Sequence, residues 1–143
     1  MLKGIPPILS PDLLYILRAM GHGDEIAIVD ANYPGDSAGP ELVRLDGVSA
    51  TDVLDAVLSL MPLDTFVDDP AFGMQVVGKP DRREPAHLEF DRIIRQHEPQ
   101  MKLAMLERFA FYERVSGAYA IVQTGERRLY GNVLLKKGVI PPQ

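Results

Sequence analysis

The chain has 143 residues, 46% of them apolar and 24% charged, which is enough to bury a real core and excludes intrinsic disorder. Fifteen basic against twenty acidic side chains leave a net charge of −5, which argues against a binder of nucleic-acid phosphates. The absence of cysteine excludes disulfides, thiolate zinc, iron–sulfur clusters and a Cys nucleophile, and only His22, His87 and His97 are available for imidazole chemistry.

The length predicts one domain over residues 1–143. Met1 to Pro7 carries no long apolar targeting segment, and no apolar run approaches a membrane span, so the expectation is a cytoplasmic protein with no membrane partner.

In chain order, Ser10 is placed to cap a helix, with Pro11 and Asp12 in its first turn and Leu13, Leu14, Ile16, Leu17 and Met20 as its apolar stripe. Gly21 is placed to end it. Ile26 to Val29 is apolar on both faces, as suits a central strand covered from both sides, and it stops at Asp30 before a turn-rich loop. Leu42 to Leu45 predicts a second strand. Ser49 and Asp52 open a helix that ends before Pro62.

The stretch from Leu63 to Glu84 is interrupted by prolines and reads as surface loops, with one strand candidate at Met74–Val77. A polar helix follows over about Ala86–Gln96, with Leu88, Phe90, Ile93 and Ile94 facing inward. Lys102–Leu106 reads as a strand, Phe109–Ser116 as a helix, and Tyr119–Val122 and Asn132–Leu135 as the last strands. The link from Thr124 to Gly131 is too short for a parallel crossover, so the last strand is expected to be antiparallel. The fold class predicted is a three-layer α/β/α arrangement on a mostly parallel mixed sheet.

Ligands of open α/β sheets bind beyond the carboxyl ends of the strands, where Asp30 should project. His22 lies between two glycines at the opposite end of that strand, unshielded, where it could exchange protons at neutral pH or simply cap a helix. Asp30 could equally be a turn-forming aspartate. Arg108 to Arg114 reads as a core helix around Phe109 and Tyr112 with outer charges. Tyr130-Gly131-Asn132 offers a ring, a hydroxyl and a paired donor and acceptor, groups that read sugars and also build ordinary turns. His87 and His97 read as a solvated surface pair and not as metal ligands, and Arg127-Arg128 and Lys136-Lys137 as solvated charges. No serine-nucleophile elbow or dinucleotide fingerprint is present.

Several segments, in this order, resemble one family: Leu2-Lys3-Gly4, Leu9 to Leu14, Met20 to Ile26 with Asp30, Glu107 to Arg114, Thr124-Gly125-Glu126, and Leu129 to Val139. The family is that of the sugar-ring isomerases that includes L-fucose mutarotase and D-ribose pyranase. The resemblance covers most of residues 1–62 and 102–139 and is weak over about 67–100. It implies interconversion of the anomers of L-fucose by acid–base ring opening, without a cofactor or metal. His22 and Asp30 are the catalytic residues so implied, and Asp30, Arg108, Tyr130, Gly131 and Asn132 the sugar contacts. Asn32 stands where some fucose enzymes carry histidine. The family's subunits form rings, here an octamer or decamer, with sites near subunit interfaces, and a monosaccharide as the partner. The alternatives are pyranose–furanose isomerisation of D-ribose and a non-catalytic monosaccharide-binding protein on the same fold.

Overall fold

The computed structural model describes residues 1–143. It contains helices α1 (Pro11–Ala19), α2 (Ala50–Leu58), α3 (Pro85–His97) and α4 (Arg108–Ser116). The strands are β1 (Glu25–Val29), β2 (Glu41–Leu45), β3 (Ala71–Met74), β4 (Ala104–Leu106), β5 (Ala120–Thr124) and β6 (Val133–Lys136). They form one mixed sheet in the order β2-β5-β1-β6-β3-β4. No helix is long and apolar enough to cross a membrane.

Local chemistry sets the first elements. The Ser10 hydroxyl accepts the Leu13 N–H at 3.3 Å, and Pro11 occupies the first turn, where its missing N–H costs nothing. The helix ends at Ala19, two residues before Gly21. Lys137, expected to be solvated, instead donates its ammonium to the carbonyls of Leu17 and Met20, which α1 leaves open. A five-residue loop then leads into β1.

β1 lies third in the sheet, between β5 and β6, and both of its faces are covered. Ile26 and Ile28 join the core shared with α1, α2 and α3, whereas Ala27 and Val29 join a smaller core with Phe111 and Val115 of α4. These are the three layers expected, and they explain why β1 is a continuous apolar run. Each fully buried isoleucine contributes about 1.5–3 kcal/mol relative to exposure.

β1 pairs in parallel with β5, and β2 pairs in parallel with β5 on its other side. β6 is antiparallel, as the short preceding link requires, but its neighbours are β1 and β3, not β5. The chain thus inserts its last strand into the middle of the sheet.

Residues 63–100 depart from the sequence expectations. The strand is Ala71–Met74, hydrogen-bonded on both sides, and its Gly73 packs closely, since a Cβ there would lie 3.2 Å from the Leu103 and Met105 side chains. Residues 75–79 form a tight turn closed by a Val76–Lys79 bridge, with Gly78 at φ 73°. On α3, Phe90, Ile93 and Ile94 face inward as expected, but Leu88 does not. Leu88 is 61% exposed, and His87 is buried, not solvated. Its Nδ1 accepts the Glu84 N–H at 3.0 Å, capping α3, and its Nε2 donates to the Met74 carbonyl at 2.9 Å. With both ring nitrogens bonded to backbone, the imidazole can replace an apolar residue. In α4 the core residues are Phe111 and Val115, and Phe109 is exposed.

Candidate active site

The carboxyl end of β1 delivers Asp30 into a web of backbone bonds. Its N–H donates to Asn132 Oδ1 at 2.8 Å, and its carbonyl accepts Gln123 Nε2 at 2.6 Å. Its carboxylate oxygens accept the Asn32 N–H at 3.0 Å and the Gly131 N–H at 3.2 Å. Asp30 is therefore fixed in place, with only 5% of its surface exposed. Burial pushes its carboxyl above the usual carboxylate range, against the opposing pull of the amides of Asn32 and Gly131.

Gly131 permits this contact. A Cβ there would lie 2.6 Å from Glu126 Cγ and 3.3 Å from Asp30 Cβ. The residue before it, Tyr130, is the one non-glycine residue in the left-handed region, at φ 58°. That conformation costs roughly 1–2 kcal/mol, and the side chain lines the same cleft as Asp30, with its hydroxyl accepting the Val77 N–H at 3.1 Å. Because that hydroxyl accepts, its own proton is free to donate.

Arg108 opens α4 beside them, its guanidinium 4.5 Å above the Phe109 ring. Asp30, Arg108, Tyr130 and Asn132 line one cleft of about 250 Å³, together with Tyr33 and Met74 among others. A larger cavity of about 510 Å³ lies between α1 and the segments around Leu60 and Ile140, but it is lined mostly by apolar side chains and holds no carboxylate or imidazole. No three His, Cys, Asp or Glu side chains are grouped to hold a metal ion.

His22 does not join that cleft. It sits in the loop before β1, and the five residues of β1 separate the two ends by about 16 Å. Its Nε2 lies 3.0 Å from Asp64 Oδ1, and its ring packs against Phe66 at 5.3 Å between centroids. Burial pushes the Asp64 carboxyl up. The Phe66 N–H, His22 and the Lys136 ammonium together outweigh that and hold it below the usual carboxylate range. An ionised Asp64 can only accept, so His22 Nε2 carries the proton and Nδ1 is left free.

Of the residues expected from the sequence, Asp30, Arg108, Tyr130, Gly131 and Asn132 thus converge, and His22 stands apart with Asp64. Asp64 was not among the expected site residues. The signal available was weak: an Asp two residues before Phe66, the spacing of an aspartate that bonds its own loop.

The RbsD / FucU transport protein family profile matches residues 3–140. The chain belongs to the RbsD/FucU family. The fucose mutarotase of Homo sapiens is 48% identical over 145 residues, 97% of this chain and 94% of the human one. The structure of the fucose mutarotase from Streptococcus pneumoniae in complex with L-fucose superposes with a TM-score of 0.92 at 48% identity, covering 98% of this chain and all of that one. Bacillus subtilis RbsD complexed with D-ribose shares the fold at a TM-score of 0.72, with 22% identity over 99% of this chain and all of that one.

Proposed function

We propose that this chain, as one domain over residues 1–143, interconverts the α and β anomers of L-fucose by acid–base opening and closing of the pyranose ring. Near half-identity over almost the whole length to fucose mutarotases supports the activity. The observation that carries the site is the buried Asp30 carboxyl at a cleft lined by Arg108, Tyr130 and Asn132, groups able to bond several sugar hydroxyls.

Opening the ring places a proton on the ring oxygen and removes one from the anomeric hydroxyl. The bond from the anomeric carbon to the ring oxygen breaks and a free aldehyde forms. Rotation and reclosure on the other face give the second anomer, and both protons return. In this reading His22 exchanges one of these protons through Nδ1, while Asp64 holds Nε2–H and so fixes the tautomer. Asp30, its carboxyl raised above the usual range by burial, orients the sugar hydroxyls or takes the other proton. Arg108, Tyr130, Gly131 and Asn132 fix the ring.

Because β1 holds His22 and Asp30 at opposite ends, the His22 of one copy completes the cleft of another. A contact that joins one end of a subunit to the other end of the next is heterologous, and it closes into a ring when the rotation allows. A cytoplasmic octamer or decamer is part of the same reading.

Saturation-transfer NMR on L-fucose tests the activity, with D-ribose alongside. Accelerated anomer exchange that His22→Ala and Asp30→Asn both remove supports it. Sugar-dependent thermal stabilisation with no acceleration would replace it with a binding protein, and acceleration confined to ribose ring exchange with a pyranase.

A further inference from the structure

Tyr33 lies in the turn that leaves β1, three residues after Asp30. Its N–H donates to the Asp30 carbonyl at 3.2 Å, and its own carbonyl accepts the Gly35 N–H at 2.9 Å, so the turn is fixed. The ring is held as firmly, tilted against Tyr112 at 5.2 Å and edge-on to Phe111 at 6.2 Å. Only 6% of the residue is exposed.

The hydroxyl of this clamped ring is buried and has no hydrogen-bond partner in the chain. The one other buried side-chain atom in that condition is Arg108 Nε, and both residues line the Asp30 cleft. An unpaired buried hydroxyl is costly, and a phenylalanine would fill the same space without it. Two unpaired donors beside a buried carboxyl define what would satisfy them: a ligand that carries several hydroxyl oxygens.

Tyr33 also walls a second hollow, of about 230 Å³, shared with Pro34, Ser37, Ala38, Tyr112 and Ser116, none of which is charged. The hydroxyl is near enough to Asp30 to feel its charge. Burial, Tyr112 and Asp30 all push the phenol up, so it stays protonated and able to donate.

We propose that the Tyr33 hydroxyl donates a hydrogen bond to one sugar hydroxyl in the Asp30 cleft and makes this site selective for sugars that carry it. The assignment rests on the monosaccharide reading of the cleft. A site built to bond a substrate hydroxyl discriminates strongly against the analogue that lacks it, because the protein group is then left unpaired.

The test compares wild type with Tyr33→Phe on L-fucose and on its monodeoxy analogues, by saturation-transfer NMR and by thermal melts with and without sugar. Loss of the hydroxyl should leave the sugar-free melting temperature equal or higher, since it removes an unpaired buried group. It should lower kcat/KM for L-fucose roughly tenfold. For one deoxy analogue the two proteins should be equal. An equal drop on every analogue, or no drop on L-fucose, overturns the proposal, as does a lower sugar-free melting temperature with unchanged exchange. If the wild type accelerates no exchange, the mutarotase reading fails by itself. The melts then decide for Tyr33: a smaller L-fucose shift in Tyr33→Phe supports it, and an unchanged shift overturns it.

Discussion

His22 and Asp64, 42 residues apart in the chain, lie 3.0 Å apart as an imidazole that is 44% exposed on a carboxylate that is 4% exposed. The anchored partner is the acid, and the accessible partner is the base. That asymmetry suits a ring that must meet a ligand from outside while keeping one tautomer.

His22→Ala is expected to slow anomer exchange by about 10²–10⁴-fold, the range of a positioned acid–base group. Asp64→Asn keeps an oxygen for Nε2–H and loses the charge, whereas Asp64→Ala loses both. Exchange rates from saturation-transfer NMR should therefore rank wild type, Asp64→Asn, Asp64→Ala and His22→Ala in falling order. A wild-type rate in Asp64→Ala would remove Asp64 from the mechanism.

Asp30 carries a pH signature of its own. Its folded carboxyl titrates above its value in the unfolded chain, so the folded state holds the proton to higher pH. Relative to Asp30→Asn, wild-type stability is then greatest below about pH 4 and declines as pH rises through the folded value. Melting temperatures of the two proteins from pH 4 to 7 should show the difference moving in that direction. A difference independent of pH would mean that Asp30 is not perturbed.

Gly131→Ala forces a methyl group against Glu126 Cγ at 2.6 Å and the Arg128 carbonyl at 3.2 Å. Glu126 is itself held by Arg128, whose guanidinium also reaches Glu89 and Thr51, so it cannot simply move away. Overpacking of this kind costs about 1–3 kcal/mol. Urea denaturation should register that loss, and L-fucose should stabilise the variant less than the wild type because the Asp30–Gly131 bond is displaced. Unchanged sugar stabilisation would separate Gly131 from the binding cleft.

Asp30 was legible in the sequence because it ends a continuous apolar run, and the end of a central strand is a predictable place. The antiparallel sense of β6 followed from a link too short to cross over. Which strands β6 pairs with did not follow, since insertion between β1 and β3 depends on contacts far apart in the chain. Asp64 was hidden for the same reason: its partner is 42 residues away and the proline-broken segment around it has no period. His87 was misread because residue type suggested solvent. Its burial depends on two backbone groups, Glu84 N–H and Met74 C=O, that no local pattern reveals.

His87 gives the clearest pH effect on stability. Burial holds its imidazole below the usual histidine range, with Arg83 acting in the same direction and the Met74 carbonyl and Glu84 opposing. Its folded value lies below the unfolded one, so its contribution is complete above about pH 6.5 and is lost as pH falls through the folded value. Stability should drop by up to about 1.4 kcal/mol per pH unit in that window, the slope of a single proton. Denaturant titrations at pH 7, 6 and 5 should show this slope, reduced in His87→Gln. An equal slope in both proteins would assign the effect elsewhere.

β6 runs against β1, so its two ends reach opposite poles of the subunit. Asn132, just before it, braces Asp30. Beyond its last residue, Lys137 closes α1 and accepts the Gly23 N–H beside His22, and Gly138 is pressed against the Leu63 carbonyl next to Asp64. Residues 130–138 therefore act as a ruler that sets the spacing between the two poles. A single-residue insertion or deletion there cannot be absorbed at one pole without displacing the other, and in a closed ring the error would repeat at every junction. The turn at 75–79 lies outside that ruler but is tied to its start, where the Val77 N–H meets the Tyr130 hydroxyl.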